Sequence, residues 1–281
     1  MNGLLSVLAD FAGDHGVRVD EPIVLSGTSN IVVHLAPAPV VARVPHVTAS
    51  GRDRPDVSLA RELAIVGHLA DRGIPTTPPS RELPPGPHRI DGDRWVSFVD
   101  YVELVPVADD DAARAGESLV EVIDAMAGMT DPAGHFDRSL AEEADVSLAF
   151  LEHRIDEADR RLLIDLRGEA MTEARADAQI VHADPHRANI GRRRDGELVW
   201  FDFDDAVHDS PLVDLATLQH SWPSAGAAAC RRFGIDPDGP ELARFVRQRV
   251  AWGDIWMQHF GLVLGGEHAD RADSVLAGHR R

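Results

Sequence analysis

The sequence predicts an α+β fold in two parts, a small antiparallel sheet followed by a larger, mainly helical region. Short β-branched runs separated by Gly, Pro and Asp turns fill the stretch between residues 23 and 102. Helical spacing of apolar residues dominates from about residue 110 onward. Strands first and helices afterwards is the order of an α+β chain with segregated layers. The boundary is expected near Phe98 to Pro106, giving parts of residues 1–102 and 103–281.

Leu4, Leu5, Leu8 and Phe11 recur at helical spacing and predict a leading amphipathic helix over 3–15. Ile23 to Leu25, Ile31 to Leu35 and Val40 to Val44 follow as strands, divided by a Ser26–Asn30 turn and a Pro-containing turn at 36–39. Leu59, Leu63, Val66 and Leu69 predict a helix over 57–71, closed by Gly73 and Pro75. The proline-dense stretch 75–87 cannot continue it. Strands are expected again at 88–90 and 95–102, joined by Asp91-Gly92-Asp93. Helices are expected over 110–129, 138–155 and 157–175, then short strands at 179–182 and 198–202. From Pro211 the chain reads as helical, with breaks at Pro223 and at 237–240.

The chain has 281 residues, 44% apolar and 27% charged, enough to bury a substantial core. No apolar run reaches the roughly 18 residues a membrane span needs, and Met1 to Leu5 carry no basic leader. A single cysteine, Cys230, leaves no internal disulfide, so a reducing, cytoplasmic setting is expected. The net charge of -19 opposes nonspecific binding to nucleic acid or anionic lipid. It serves solubility or favours a cationic ligand. All 28 basic residues are Arg.

The strongest functional signal is His182-Ala183-Asp184-Pro185-His186-Arg187-Ala188-Asn189, followed by Trp200-Phe201-Asp202-Phe203-Asp204-Asp205. An Asp, an Asn and a second Asp at this spacing suit phosphoryl transfer, which asks a protein for positioning and charge stabilisation. Asp184 can take the proton of a hydroxyl nucleophile. Asn189 and Asp202 offer hard oxygen donors that can hold magnesium against nucleotide phosphates.

These segments resemble the aminoglycoside phosphotransferase and choline kinase superfamily of protein-kinase-like small-molecule kinases. The catalytic segment of that family reads His-Gly-Asp-Leu-His-Pro-Gly-Asn, matched here at His182, Asp184, His186 and Asn189. Its Ile-Asp-Phe segment with a trailing Asp-Leu-Ala is matched by Phe201-Asp202-Phe203 and Asp214-Leu215-Ala216. Two departures stand out: Ala183 replaces the usual Gly, and Asp204 stands where protein kinases carry Gly.

The resemblance implies a bilobal protein-kinase-like fold, a magnesium cofactor, ATP or GTP as phosphate donor and a small-molecule hydroxyl as acceptor. It implies that Asp184 is the catalytic base and that Asn189 and Asp202 are magnesium ligands. Ser26, Gly27, Thr28, Ser29 and Asn30 resemble the loop that covers the nucleotide phosphates, and an ordinary hairpin fits the same residues. Arg43 occupies the place of the strand Lys that contacts phosphate, with a planar fork instead of a point charge. Glu62 resembles the helix carboxylate that pairs with that cation. The apolar stretch Phe98 to Val102 is where the adenine is expected.

His182 and His186 are expected to orient the catalytic loop, and Asp214 to tie it down. Asp205 and Asp209 can line an acceptor pocket or serve turns. Trp222, Trp252 and Trp256 can form an acceptor wall, with Asp254, Gln258 or His259 adding polar contacts, or can be core. Resemblance and charge favour an aminoglycoside or another cationic antibiotic as acceptor; macrolides, amino alcohols and sugars remain open. Two other classes fit the residues: a nucleotide-binding protein without transferase activity, and a metal-dependent hydrolase using His182, Asp184 and His186.

Overall fold

The computed structural model of the chain describes residues 1–51, 54–130, 138–171 and 178–280. Helix α1 (Asn2–Asp14) leads into strands β1 (Val19–Gly27), β2 (Asn30–Pro37) and β3 (Val40–Pro45), then α2 (Val47–Gly51) and α3 (Pro55–Asp71). Strands β4 (His88–Ile90), β5 (Arg94–Asp100) and β6 (Val105–Pro106) follow. Next come α4 (Ala112–Met126), α5 (Leu140–Leu151), α6 (Glu157–Ala170) and β7 (Gln179–Val181). Strands β8 (Ile190–Arg192), β9 (Leu198–Trp200) and β10 (Val207–Asp209) precede α7 (Leu212–Ser221), α8 (Pro223–Phe233), α9 (Pro240–Leu264) and α10 (Glu267–His279).

Among the described residues the chain forms two compact units. The first is Met1–Ala49, Arg54–Val107 and Ala188–Asp204; the second is Ser50–Asp53, Ala108–Arg187 and Asp205–Arg281. The chain passes from one to the other inside the His182–Asn189 segment, leaving Asp184 in the second unit and Asn189 in the first.

The first unit is built on an antiparallel sheet of order β1-β2-β3-β5-β4. Both faces of β3 are covered, and strand alternation decides what each face meets. Ala42 and Val44 point to one side, into a core shared with Leu4 and Leu8 of α1 and Phe98 of β5. Val41 points to the other, where it packs with Leu63 of α3 and Val99 of β5. Burying each Leu or Phe contributes about 1.5–3 kcal/mol, so α1 and α3 are held by their apolar stripes more than by helix propensity. Arg43, two residues from Val41, therefore shares the α3 side of the sheet. A second, three-stranded sheet of order β6-β8-β9 completes the unit.

Among its described residues the second unit is helical apart from the β10–β7 pair. Helix α5 begins with a capping box: the Ser139 side chain accepts the Glu142 N–H, and the Glu142 carboxylate accepts the Ser139 N–H at 2.7 Å. Pro223 and Pro240, which the sequence suggests as breaks, stand in the first turns of α8 and α9, where the missing N–H is harmless. Helices α4 and α8 meet at Gly116, where a Cβ would collide with the Ala225 and Ala229 backbone.

The expected elements are present within a few residues of their sequence bounds. The helix expected over 157–175 is α6, ending at Ala170; residues 172–175 lie outside the described residues. Strands β6, β8 and β10 have no counterpart among the expected elements. Each is two or three residues long, too short to display a period.

Candidate active site

Within the first unit, β3 and α3 bring a cation and three carboxylates together. Arg43 Nε lies 2.9 Å from Glu62 Oε2, and its Nη2 lies 2.5 Å from Asp202 Oδ1 and 3.7 Å from Asp204 Oδ2. Both Arg43 and Glu62 are buried, while Asp202 is about a third exposed, at 30%. Burial alone would lower the Arg43 pKa; Asp202, Glu62 and Asp204 outweigh it and hold the guanidinium protonated. Burial pushes the Glu62 carboxyl up, Arg43 opposes the rise, and Asp204 and Asp202 add to it. A single fork thus serves two carboxylates at once, which a point charge at the end of a lysine could not do in the same geometry.

The loop residues reach the same cluster. Asn30 Nδ2 donates to Asp204 Oδ2 at 2.8 Å, and Asn30 Oδ1 accepts from Thr48 Oγ1 at 2.7 Å. The Ser29 carbonyl accepts from the N–H groups of His46 and Thr48, and the Thr28 carbonyl lies 3.2 Å from His46 Nδ1. Ser26 Oγ and Thr28 Oγ1 are 3.5 Å apart, and Gly27 has open space where a Cβ would stand. The turn is therefore fixed from its Asn30 end, while its Ser26–Thr28 end carries hydroxyls and little side-chain bulk.

Asn189 is buried in a 3-10 turn, Arg187–Asn189, and its carbonyl accepts the Phe201 N–H at 3.1 Å. That bond ties the Asn189 turn to the end of β9, one residue before Asp202. Asp202 itself has φ 68°, a left-handed conformation that Asp tolerates better than most residues. A carboxylate and an amide oxygen are the hard donors a magnesium ion accepts, so the residues fit that ion.

Within the second unit, the segment around Asp184 is pinned from α7. Asp214, fully buried, accepts the His182 N–H at 3.0 Å and the Ala183 N–H at 2.7 Å. Burial pushes its carboxyl up to about 7, against the pull of those two donors. Ala183 has φ 65°, so the position filled by Gly in the resembling family does demand a left-handed backbone. Alanine adopts it here at a strain of roughly 1–2 kcal/mol. Asp184 Oδ1 accepts from Arg249 Nη2 at 2.6 Å, and Oδ2 lies 3.3 Å from His186 Nε2. Burial alone would raise the Asp184 pKa; Arg249, His186 and His182 together bring it below the ordinary value.

A small cleft in the second unit is lined by Leu140, Glu143, Ser147, Asp205, Trp252 and Trp256. Of the candidate acceptor residues, Asp205, Trp252 and Trp256 are brought together there, with the two indoles stacked at 5.9 Å. The others are engaged elsewhere. Trp222 is buried beneath the Arg187 guanidinium at 4.8 Å. Asp209 accepts the Leu140 and Ser210 N–H groups. Asp254 pairs with His279, Gln258 bonds the Ala272 carbonyl, and His259 stacks on Phe150 at 3.9 Å, so these three hold α9 to its neighbours.

Sequence reasoning missed Arg249, Thr48 and Glu143. Thr48 and Glu143 sit among ordinary polar residues with no local pattern. Arg249 had one available signal, its spacing of three and seven residues from Trp252 and Trp256 along one helical face. Among the described residues no three His, Cys, Asp or Glu side chains converge as a metal-ligand set, so His182, Asp184 and His186 do not form the centre a metal-dependent hydrolase requires. No described helix is long and apolar enough to cross a membrane.

No curated protein matches the chain by sequence. Among solved structures, it is similar to the GDP and kanamycin complex of APH(2")-IIia, with a TM-score of 0.69 and 16% identity over 100% of this chain and 99% of that one. It is similar to the choline kinase LicA from Streptococcus pneumoniae, at TM-score 0.65, 15% identity and coverage of 97% and 98%. It is also similar to a microcompartment-associated aminopropanol kinase, at TM-score 0.62, 19% identity and coverage of 98% and 95%. At these identities the likeness establishes a shared kinase-like α+β fold. The model of the phosphotransferase enzyme family (APH) matches residues 22–251, more than half of the sequence, and the chain belongs to that family.

Proposed function

We propose that this protein transfers the γ-phosphate of ATP or GTP to a hydroxyl group of a small molecule. The observation that carries the reading is the Asp184 loop, held by two backbone bonds to Asp214 in a chain of the phosphotransferase family. The acceptor oxygen bonds to the γ-phosphorus, the bond to the bridging oxygen breaks, and the nucleoside diphosphate leaves. Asp184 accepts the hydroxyl proton or aligns the oxygen for in-line attack. Arg43, positioned by Glu62, neutralises phosphate charge, and the backbone of residues 26–30 covers the phosphates. Asn189 and Asp202 would hold magnesium, which when bound offsets charge on the phosphate oxygens.

The proposed acceptor is an aminoglycoside or another cationic small molecule. The carboxylates of Glu143 and Asp205 beside two tryptophans support it, since such a cleft suits an ammonium group by charge and by its ring faces. The kanamycin complex of one structural neighbour is consistent with this choice. A metabolite amino alcohol is the second reading, favoured by the choline and aminopropanol kinases among the neighbours and by the small size of the cleft.

A magnesium-dependent nucleotide-consumption screen separates these readings. Aminoglycosides, macrolides, amino alcohols and sugars are offered with ATP or GTP. Stimulation by an aminoglycoside or amino alcohol selects between the two cationic readings. Nucleotide binding without any turnover would replace both with a nucleotide-binding module that has no transferase activity.

A further inference from the structure

We propose that Arg249 is a positioning residue for phosphoryl transfer: it aims the Asp184 carboxylate and links that aim to the acceptor cleft through Trp252. The inference rests on the reading of Asp184 as the catalytic carboxylate. It concerns a residue outside both sequence motifs, on a helix whose start lies more than fifty positions beyond Asp184.

Arg249 Nη2 donates to Asp184 Oδ1 at 2.6 Å, and both side chains are largely buried, at 16% and 15% exposure. A charge-assisted bond between two groups shielded this far from water fixes the carboxylate plane, where an exposed pair would not. His186 lies on the other oxygen at 3.3 Å. The carboxylate is thus held at both oxygens, and Arg249 supplies the permanent charge of the pair.

The guanidinium is in turn stacked over the Trp252 ring, 4.9 Å from its centroid. Trp252 stacks on Trp256 and both line the cleft with Glu143 and Asp205. Residues 249, 252 and 256 are spaced three and four apart on α9, so one helical face carries the clamp on Asp184 and a wall of the cleft. An acceptor that displaces or tilts Trp252 must move the support of Arg249, and with it the carboxylate.

The groups facing Asp184 are Arg249 from α9, His186 and His182 from its own segment, and Asp214 from α7. Two are histidines and one is an acid, so Arg249 is the group among them that stays cationic throughout the neutral range. Without it, burial and Asp214 act on Asp184 against the histidines and no longer against a permanent cation from α9.

The test compares wild type with Arg249→Gln, Arg249→Lys and, as a control, Arg247→Gln on the exposed side of α9. Magnesium-dependent nucleotide turnover is followed across pH, with the acceptor that gives the highest wild-type rate in the screen, or water where none does. Arg249→Gln should lower kcat on the order of 100-fold, the scale of a small misplacement of a catalytic group, with nucleotide KM nearly unchanged. Its acidic limb should move toward neutral pH, because Asp184 then takes a proton more easily. Arg249→Lys should recover part of the rate and most of the limb position, and Arg247→Gln should behave as wild type. A wild-type rate and limb in Arg249→Gln, or an equal loss in Arg247→Gln, overturns the inference while leaving the proposed function intact. If Arg249→Gln does not fold, a wild-type kcat in Arg249→Lys overturns the inference, since an ammonium cannot hold the Asp184 carboxylate as the guanidinium does. A wild type that turns over no nucleotide overturns the proposed function itself, and this inference with it.

Discussion

Arg43 on β3 and Glu62 on α3 form an ion pair at 2.9 Å with both side chains buried. The same guanidinium reaches Asp202, so one residue is responsible for two acids that water cannot stabilise fully. Arg43→Met would leave Glu62 and Asp204 buried near Asp202 with no cation, and should cost about 3–5 kcal/mol of stability by chemical denaturation. Arg43→Lys should cost less than half of that loss, yet lower kcat/KM for nucleotide, because an ammonium cannot span both carboxylates. Equal stability of Arg43→Met and wild type would contradict this.

The Asp214 carboxyl is raised from an ordinary 3.8 to about 7 in the folded chain, so its effect on stability has a definite sign. Between those values the folded protein holds a proton that the unfolded chain has released. Stability should therefore fall as pH rises from about 4 to about 7, with a slope of at most roughly 1.4 kcal/mol per pH unit from this group. Asp214→Asn should remove that slope. Above about pH 7, where the ionised carboxylate accepts both the His182 and Ala183 N–H groups, the substitution should cost about 1–3 kcal/mol, because the amide offers only one acceptor oxygen. Urea denaturation of both proteins at several pH values reads the two effects separately.

The cleft residues predict a clean division between substrates. Glu143→Gln and Trp256→Ala should each raise the acceptor KM by about tenfold, the scale of a lost partly desolvated cation contact. Nucleotide KM should change less than about twofold. Steady-state kinetics with each substrate varied in turn checks this; a change confined to nucleotide KM would assign the cleft to the donor instead.

How much of this was legible beforehand depends on how far apart in sequence the interacting groups lie. Asp184, Asn189 and Asp202 stand out because the chemistry proposed for them is confined to two short segments. The Arg43–Glu62 pair was reachable only through the family resemblance, since no local period links a strand residue to a helix residue nineteen positions on. Glu143 was not, and Arg249 was marked only by its helical spacing from Trp252 and Trp256, because its partner Asp184 lies far away in sequence. Ala183 shows a different limit. A Gly-to-Ala difference is visible in the sequence, but only the observed φ of 65° shows that the chain adopts the left-handed turn with Ala in place. Pro223 and Pro240 read as breaks for the same reason: the residue is visible, but its place at a helix start depends on how the chain folds around it.

Phosphoryl transfer by this protein is followed most directly through phosphorus itself. With magnesium, nucleoside triphosphate and the acceptor chosen by the consumption screen, ³¹P NMR of the wild-type reaction should show a new phosphomonoester signal growing as the γ-phosphate signal declines. Asp184→Asn should bind magnesium nucleotide as wild type does and form that product at least about 100-fold more slowly, the usual contribution of a positioned base. A phosphomonoester formed at the wild-type rate by Asp184→Asn would exclude Asp184 as the group that takes the proton or aligns the acceptor oxygen.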